Sequence, residues 1–293
     1  MAIKQKKHLK AFTLLELSIV ILIAGLLTTL VIVGGKSLMR SANINNARSA
    51  TSESQIAAID GLIAWYESSM PDSFVGSESA LNGSQISNWY DRSPTSLLLK
   101  KNALSATPSS AVTYNYDGIN NSQSIVFNGL GKLSISNFYQ GSFAQATIFI
   151  AFSPSSTSSA TLLDSGPSSA TNSIAISSNT ITLNAGTAAT TSTSGNPANF
   201  TINNKYIIAA YFNNSNSKVY LNSTSNVAGN GTALSIGSNI FNGLTVGSTN
   251  AGASGFNGKI SEVIIFNRLL NILERKDVMK YLAKKYNIAV TGF

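Results

Sequence analysis

Three patterns of hydrophobic and polar positions follow one another along the chain. Phe12 to Val33 is an apolar run of 22 residues with one ionisable side chain, Glu16, near its front. As a helix it spans about 33 Å, enough to cross a hydrocarbon core of about 30 Å. Residues 36–58 hold neither Pro nor Gly and are weakly amphipathic through Leu38, Ile44, Ala47 and Ile56, which predicts a continuation of the same helix outside the membrane. From Ile59 onward, short apolar or alternating runs sit between clusters of Ser, Gly and Asn, the pattern of a β-sandwich. Strands are predicted over 61–67, 124–129, 132–136, 146–152, 160–166, 173–177, 180–184, 205–212, 218–222, 244–248 and 259–266. YIIAAYF, a polar NNSNS loop and KVYLN read as a hairpin, and residues 153–159 and 185–199 as Ser/Thr/Ala-rich loops. The chain closes on helical spacing: Asn271 and Glu274 form a capping-box pattern, and Val278, Leu282 and Tyr286 lie on the side expected to dock on the sandwich.

Composition narrows the chemistry. Of 293 residues, 43% are hydrophobic and 11% charged, well below the ~25% charged of an average soluble domain. Ser, Thr, Asn and Gly fill the difference, which suits an all-β domain with many polar turns. There is no cysteine and one histidine, His8. Disulfides and thiolate metal sites are excluded by the first count; Ser-His-Asp, Cys-His and His-zinc chemistry are undercut by the second. Net charge is +8, but Lys4, Lys6, Lys7 and Lys10 lie in the first ten residues, and without them 16 basic groups face 12 acidic ones. Nucleic acid is therefore not expected as a partner on charge alone.

Residues 1–11 are basic and free of acids, so the N-terminus is expected in the cytoplasm and the residues after Val33 outside. No small-x-small site closes the apolar run, which sets it apart from an ordinary secretory signal. The stretch KAFTLLELSIVILIAGLL resembles the N-terminus of type IV pilins and of the pseudopilins of type II secretion. The resemblance implies cleavage between Ala11 and Phe12 by a prepilin peptidase, N-methylation of Phe12, and filament assembly with other pilin subunits through Glu16. Two features depart from the family: Ala11 stands where Gly is usual, and Gly34-Gly35 replaces a mid-helix Pro. The amine created at Phe12 has a reference pKa near 7.7 and gives Glu16 a cationic partner. Paired in a helical bundle, the two charges partly cancel a cost that each would carry alone in lipid.

The run from GLIAWYE through NWYDRSP, SIVFNG, ATIFIAF and LLDSG to FNGKISEVIIFNRLLNILERKDVMKYLAKKYNI is similar to concanavalin A-like lectin/glucanase sandwiches of the laminin-G type. The glucanases of that group carry carboxylates in an E-x-D-x-x-E pattern on one strand. It is absent here, and residues 111–258 contain two acids, Asp117 and Asp164. The chain is accordingly expected not to be an enzyme. No cofactor is required; calcium has candidate ligands in Asp72, Asp91, Asp117 and Asp164, without a ligand spacing. Glu262 alternates with Ile260, Ile264 and Phe266 and needs a partner if buried, Arg268 or backbone amides being candidates. Trp65 and Trp89 are read as core residues, and Tyr114, Tyr116 and Tyr139 as candidate sugar platforms. Lys276, Lys280 and Lys284 form a basic stripe with Arg275 and Lys285 beside it, either a solvated helix face or a contact for an anionic partner.

The expected architecture is mainly β: leader 1–11, a long N-terminal helix 12–58 with its transmembrane span at 12–33, and a concanavalin A-like antiparallel β-sandwich with a C-terminal helix over 59–293. The expected role is a minor pilin or pseudopilin, first in the bacterial inner membrane and then in a periplasmic or surface filament, displaying an adhesive or glycan-binding head. The alternative is a membrane-tethered surface lectin or carbohydrate-active enzyme outside any filament.

Overall fold

The computed structural model describes residue 21 and residues 53–76, 78, 81–94, 102–138, 145–166, 172–177, 180–185, 188–192, 200–213, 216–225, 227–230, 241 and 243–293. Contacts divide the chain into two units, Met1–Ala42 and Asn43–Phe293, and the described residues other than Ile21 belong to the second. Apart from Ile21, the leader and the apolar run therefore lie outside the described residues. Among the described residues, no helix is long and apolar enough to cross a membrane.

A short helix, α1 (Glu53–Ala57), leads into the strands β1 (Leu62–Glu67), β2 (Asn88–Trp89), β3 (Leu104–Thr107), β4 (Val112–Ile119), β5 (Ser122–Asn128), β6 (Lys132–Ile135), β7 (Ala146–Pro154) and β8 (Ala160–Asp164). These are followed by β9 (Asn172–Ile176), β10 (Ile181–Ala185), β11 (Ala188–Ser192), β12 (Tyr206–Phe212), β13 (Lys218–Leu221), β14 (Val227–Asn230), β15 (Leu244–Val246), β16 (Asn257–Phe266) and the helix α2 (Ile272–Lys285). The first sheet has the order β14-β13-β12-β7-β16-β5-β4, with β1 also paired to β16; the second runs β11-β10-β9-β8-β15-β6-β3-β2. The pairs within both are antiparallel. The predicted hairpin is β12–β13, with Tyr211 opposite Lys218. One expectation is corrected: the stretch 185–199 is not loop throughout, because β11 pairs with β10 inside it. Its Ala and Thr residues carry no apolar alternation, so only the neighbouring strand reveals it.

Alternation along the central strands sorts side chains into two cores. Ile148, Ile150 and Phe152 of β7 and Ile208, Ala210 and Phe212 of β12 point between the sheets. Phe149, Ala151, Ile207, Ala209 and Tyr211 point the other way, against Val278, Met279, Tyr281 and Leu282 of α2. The middle of the first sheet is thus buried on both faces, which is why ATIFIAF and YIIAAYF read as continuous apolar runs rather than alternating ones. Burial of each Ile or Phe in these runs stabilises the fold by about 1.5–3 kcal/mol.

β16 is the strand that organises the α2 side. Its first half pairs with β5 and its second half with β1, so β5 and β1 lie end to end along one edge. The register against β7 shifts between Ile260 and Glu262, leaving Ser261 as the extra residue of a β-bulge. The bulge resets the alternation: Ile260 belongs to the inter-sheet core with Val263 and Ile265, whereas Glu262 shares the α2 side with Ile264 and Phe266. The expectation that Glu262 and Ile260 share a face is corrected by this one inserted residue.

The helix begins as its sequence predicts. Asn271 Oδ1 accepts from the amides of Leu273 (2.8 Å) and Glu274 (3.0 Å), and Glu274 Oε2 accepts from the Asn271 amide at 2.9 Å. The helix ends with Asn287 at φ 48° and the Ile288 amide bonded to the Ala283 carbonyl at 2.9 Å, a left-handed C-terminal cap.

Candidate functional site

Two polar clusters lie on the α2 face of the first sheet. The first is sealed. Glu67 of β1 stands opposite Glu262 of β16. Lys285, reaching down from α2, places Nζ 2.5 Å from Glu67 Oε1 and 2.7 Å from Glu262 Oε2, and donates to the Tyr281 hydroxyl at 2.7 Å. Glu262 also accepts from Trp65 Nε1 and the Tyr286 hydroxyl, both at 2.6 Å. Glu67 accepts from Arg92 at 2.5 Å and from the Ser69 hydroxyl. Lys285 is 1% exposed and both carboxylates are fully buried.

The electrostatics of this cluster are asymmetric. Burial pushes Glu67 up, but Lys285 and Arg92 outweigh it and hold the carboxyl below its ordinary range. Burial raises Glu262; Lys285 offsets this in part, and the neighbouring Glu67 adds to it. Burial alone would lower Lys285, but the two carboxylates hold its pKa above the ordinary lysine value. The cluster fastens α2 to the sheet. The candidate partner Arg268 for Glu262 is corrected: Arg268 instead forks onto Glu274, at 2.9 and 2.6 Å, beside the α2 N-cap. The sequence placed that arginine closer in the chain, but the helix brings Lys285 across the sheet.

The second cluster is open and forms the candidate site. Asp117, Gly118, Asn120, Asn121, Ser153, Asn203, Lys205 and Lys259 line a cavity of about 290 Å³. Three local features build it. Between Asn115 opposite Ser124 and Ile119 opposite Ser122, β4 carries two more residues than β5, and this bulge presents Asp117. Gly118 is required there, since a Cβ would lie 1.8 Å from Ser124 Oγ. Asn120 and Asn121, at φ 47° and 65°, make the two-residue turn between β4 and β5, the left-handed pair that a tight hairpin demands. Ser153 follows the inward Phe152 and is paired with Lys259 across β16, so both are on the α2 side.

Hydrogen bonds brace the walls. Asn120 Nδ2 donates to the carbonyls of Tyr286 and Asn287, each at 2.9 Å, tying the pocket to the C-terminal end of α2. The Lys205 amide donates to Asn204 Oδ1 at 2.9 Å and its carbonyl accepts from Asn222 at 3.2 Å. Asp117, Asn120, Lys205 and Lys259 are half-buried, and Asn121 and Asn203 exposed. The arrangement offers a carboxylate, amide groups and ammonium groups at the rim of one cavity, a mixture of acceptors and donors suited to a polyhydroxylated ligand.

The residues singled out from sequence fare unequally. Ala11, Phe12, Glu16 and Tyr139 lie outside the described residues. Tyr114 is corrected as a sugar platform: it is 3% exposed and packs edge-on against Phe74 and Tyr116. Tyr116 is half-buried with its ring against Tyr114. Trp65 and Trp89 are buried, as expected. Lys280 and Lys284 are exposed and Lys276 half-buried on α2, but Arg275 and Lys285 are corrected out of the basic stripe. Arg275 turns inward over the Tyr220 ring at 4.0 Å and donates to the Thr224 carbonyl. The calcium candidates do not converge. Asp91 binds the amides of Trp65 and Ser93, Asp164 those of Gly166 and Asn250, Asp72 lies 3.6 Å from Arg92, and Asp117 lines the pocket. Among the described residues no three acids or histidines gather to hold a metal. Sequence reading missed Lys205, Lys259 and the Asn120-Asn121 turn; the left-handed preference of consecutive asparagines was the signal present for the last.

The described residues form a mainly antiparallel β-sandwich of two sheets, with a helix packed on one of them. Known structures share this fold. A Trypanosoma rangeli sialidase solved with sialic acid is similar over 80% of this chain and 35% of its own, at 17% identity and a TM-score of 0.50. Domain 4 of AbnA, a GH43 extracellular arabinanase from Geobacillus stearothermophilus solved with arabinotriose, is similar over 74% of this chain and 98% of its own, at 14% identity and a TM-score of 0.50. The chain thus spans about a third of the sialidase and nearly all of the arabinanase domain. At these identities the likeness establishes the fold alone. No family model and no curated protein matches the chain.

The expectation that the chain is not an enzyme is overturned. The sandwich is shared with chains of a sialidase and of an arabinanase, which are glycoside hydrolases. The missing E-x-D-x-x-E pattern excludes one arrangement of carboxylates within such a fold and says nothing about others.

Proposed function

We propose that the sandwich binds carbohydrate in the pocket formed by Asp117, Asn120, Asn121, Asn203, Lys205 and Lys259, as the recognition part of a surface lectin or carbohydrate-active protein. The pocket carries the reading: amides and a carboxylate, braced by backbone hydrogen bonds, face one cavity in which neighbouring sugar hydroxyls can each both donate and accept. The saccharides bound by the sialidase and by the arabinanase domain support the same ligand class. A glycan array of the full chain in detergent micelles, with and without calcium, tests it. A bound saccharide whose affinity falls at least about tenfold in Asp117→Ala is expected; binding unchanged by that substitution removes the pocket from the assignment.

A second reading concerns how the sandwich is displayed. The basic leader, Phe-Thr-Leu-Leu-Glu over residues 12–16 and the apolar run to Val33 support a pilin or pseudopilin subunit. Such a subunit is held in the bacterial inner membrane, cut by a prepilin peptidase after Ala11 and joined to a filament through Glu16. Mass analysis of the mature N-terminus decides it: a chain beginning at methylated Phe12 supports the reading, and retention of residues 1–11 rejects it.

A further inference from the structure

We infer that the Asp117–Lys259 pocket selects acidic saccharides, carbohydrate chains bearing carboxylate groups, over neutral ones. The inference rests on the saccharide reading above and adds the charge class of the ligand. Two lysines line the pocket against one acid, and they arrive from different elements, Lys205 from the loop before β12 and Lys259 from β16. Both are half-buried, the burial of a lysine whose apolar stem is covered while its ammonium group keeps water. The Lys205 backbone is fixed at its amide by Asn204 and at its carbonyl by Asn222. A neutral ligand covering this rim would strip water from two ammonium groups and offer no charge in return. A carboxylate offers charge-assisted hydrogen bonds to them, with the exposed Asn121 and Asn203 beside them for the hydroxyls.

The surroundings reinforce the sign. The C-terminal end of a helix carries partial negative charge on its last carbonyls. Here Asn120, which lines the pocket, donates from Nδ2 to the Tyr286 and Asn287 carbonyls at that end of α2. The last turn of α2 carries the exposed Lys284, with Lys280 and Asp277 exposed further back along the helix.

The test is a titration of the full chain in detergent micelles with oligogalacturonate, its fully methyl-esterified form and a neutral arabino-oligosaccharide. Oligogalacturonate is expected to bind roughly tenfold or more tightly than its ester, with the difference shrinking as salt is added. The double variant Lys205→Gln, Lys259→Gln is expected to lose that preference and to bind the acid and its ester with equal affinity. Equal affinity for acid and ester in the parent overturns the inference and leaves the saccharide reading standing. An acid preference that survives in the double variant overturns its assignment to this pocket. Failure of all three probes to bind overturns the inference, while the glycan array judges the broader reading separately.

Discussion

Lys285 and Lys259 both approach the α2 face of the first sheet, one pointing down from the helix and the other standing on β16. Lys285 meets two carboxylates and two tyrosines and is 1% exposed. Lys259 meets a cavity with one carboxylate on its wall. The same kind of side chain therefore fastens the fold in one place and remains available to a ligand in the other. Enclosure makes the difference. Where α2 covers the sheet, every charge has to find its partner within the protein, and the cost of leaving one unpaired is large. Where the β4 bulge and the Asn120-Asn121 turn hold the walls apart, the charges keep part of their hydration and can exchange it for a ligand.

The strongest way to break this comparison is to remove the central lysine. Lys285→Met leaves Glu67 and Glu262 buried side by side and is expected to cost about 3–5 kcal/mol, read as a fall in denaturant midpoint. A loss below about 1 kcal/mol would show that the cluster is not sealed. Gly118→Ala comes next. A new Cβ beside Ser124 must push β4 from β5, costing about 1–3 kcal/mol and disturbing the pocket with the fold.

The pH profile sharpens the contrast from another side. Glu67 is held below 4.5, so its stabilisation is complete above that value and lost as acid takes the pH down through its lowered pKa. Lys285 is held above 10.5, so its contribution is complete below that value and lost as the pH climbs through its raised pKa. Glu262, raised, works against Glu67 by stabilising most at low pH. The melting temperature is expected to form a plateau between these limits with a loss at each end; Lys285→Met should weaken the alkaline loss, and the buried Tyr66, Tyr281 and Tyr286, held above the ordinary tyrosine value by burial, should keep part of it. The smallest effect belongs to the open side. Lys284→Gln is expected to change stability by less than about 0.5 kcal/mol, because the residue is exposed, and a larger loss would place it in the sealed cluster.

Much of the fold was legible. The capping box at Asn271 and Glu274, the β12–β13 hairpin and the doubly buried runs of β7 and β12 follow from spacing that local physics reads directly. β11 was not legible, because Ala and Thr pair as an edge strand without an apolar signature. Tyr114 looked like a loop aromatic and lies in the core, because β4 carries its ring inward. The candidate site was least legible. Asp117, Asn120, Lys205 and Lys259 are scattered over more than half of the sandwich sequence, and no spacing joins them.

The sequence by itself determined the periodicities: an apolar run, alternating strands, a capped C-terminal helix, and a shortage of charge that makes each buried ion matter. These depend on neighbours within a turn or a strand, where local geometry decides. Only the tertiary structure decided which lysine is sealed and which is open. That choice turns on one extra residue at Ser261, two at the β4 bulge, and where α2 comes to rest. Pairing across sheets is a matter of distance in space, which the order of residues along the chain does not carry.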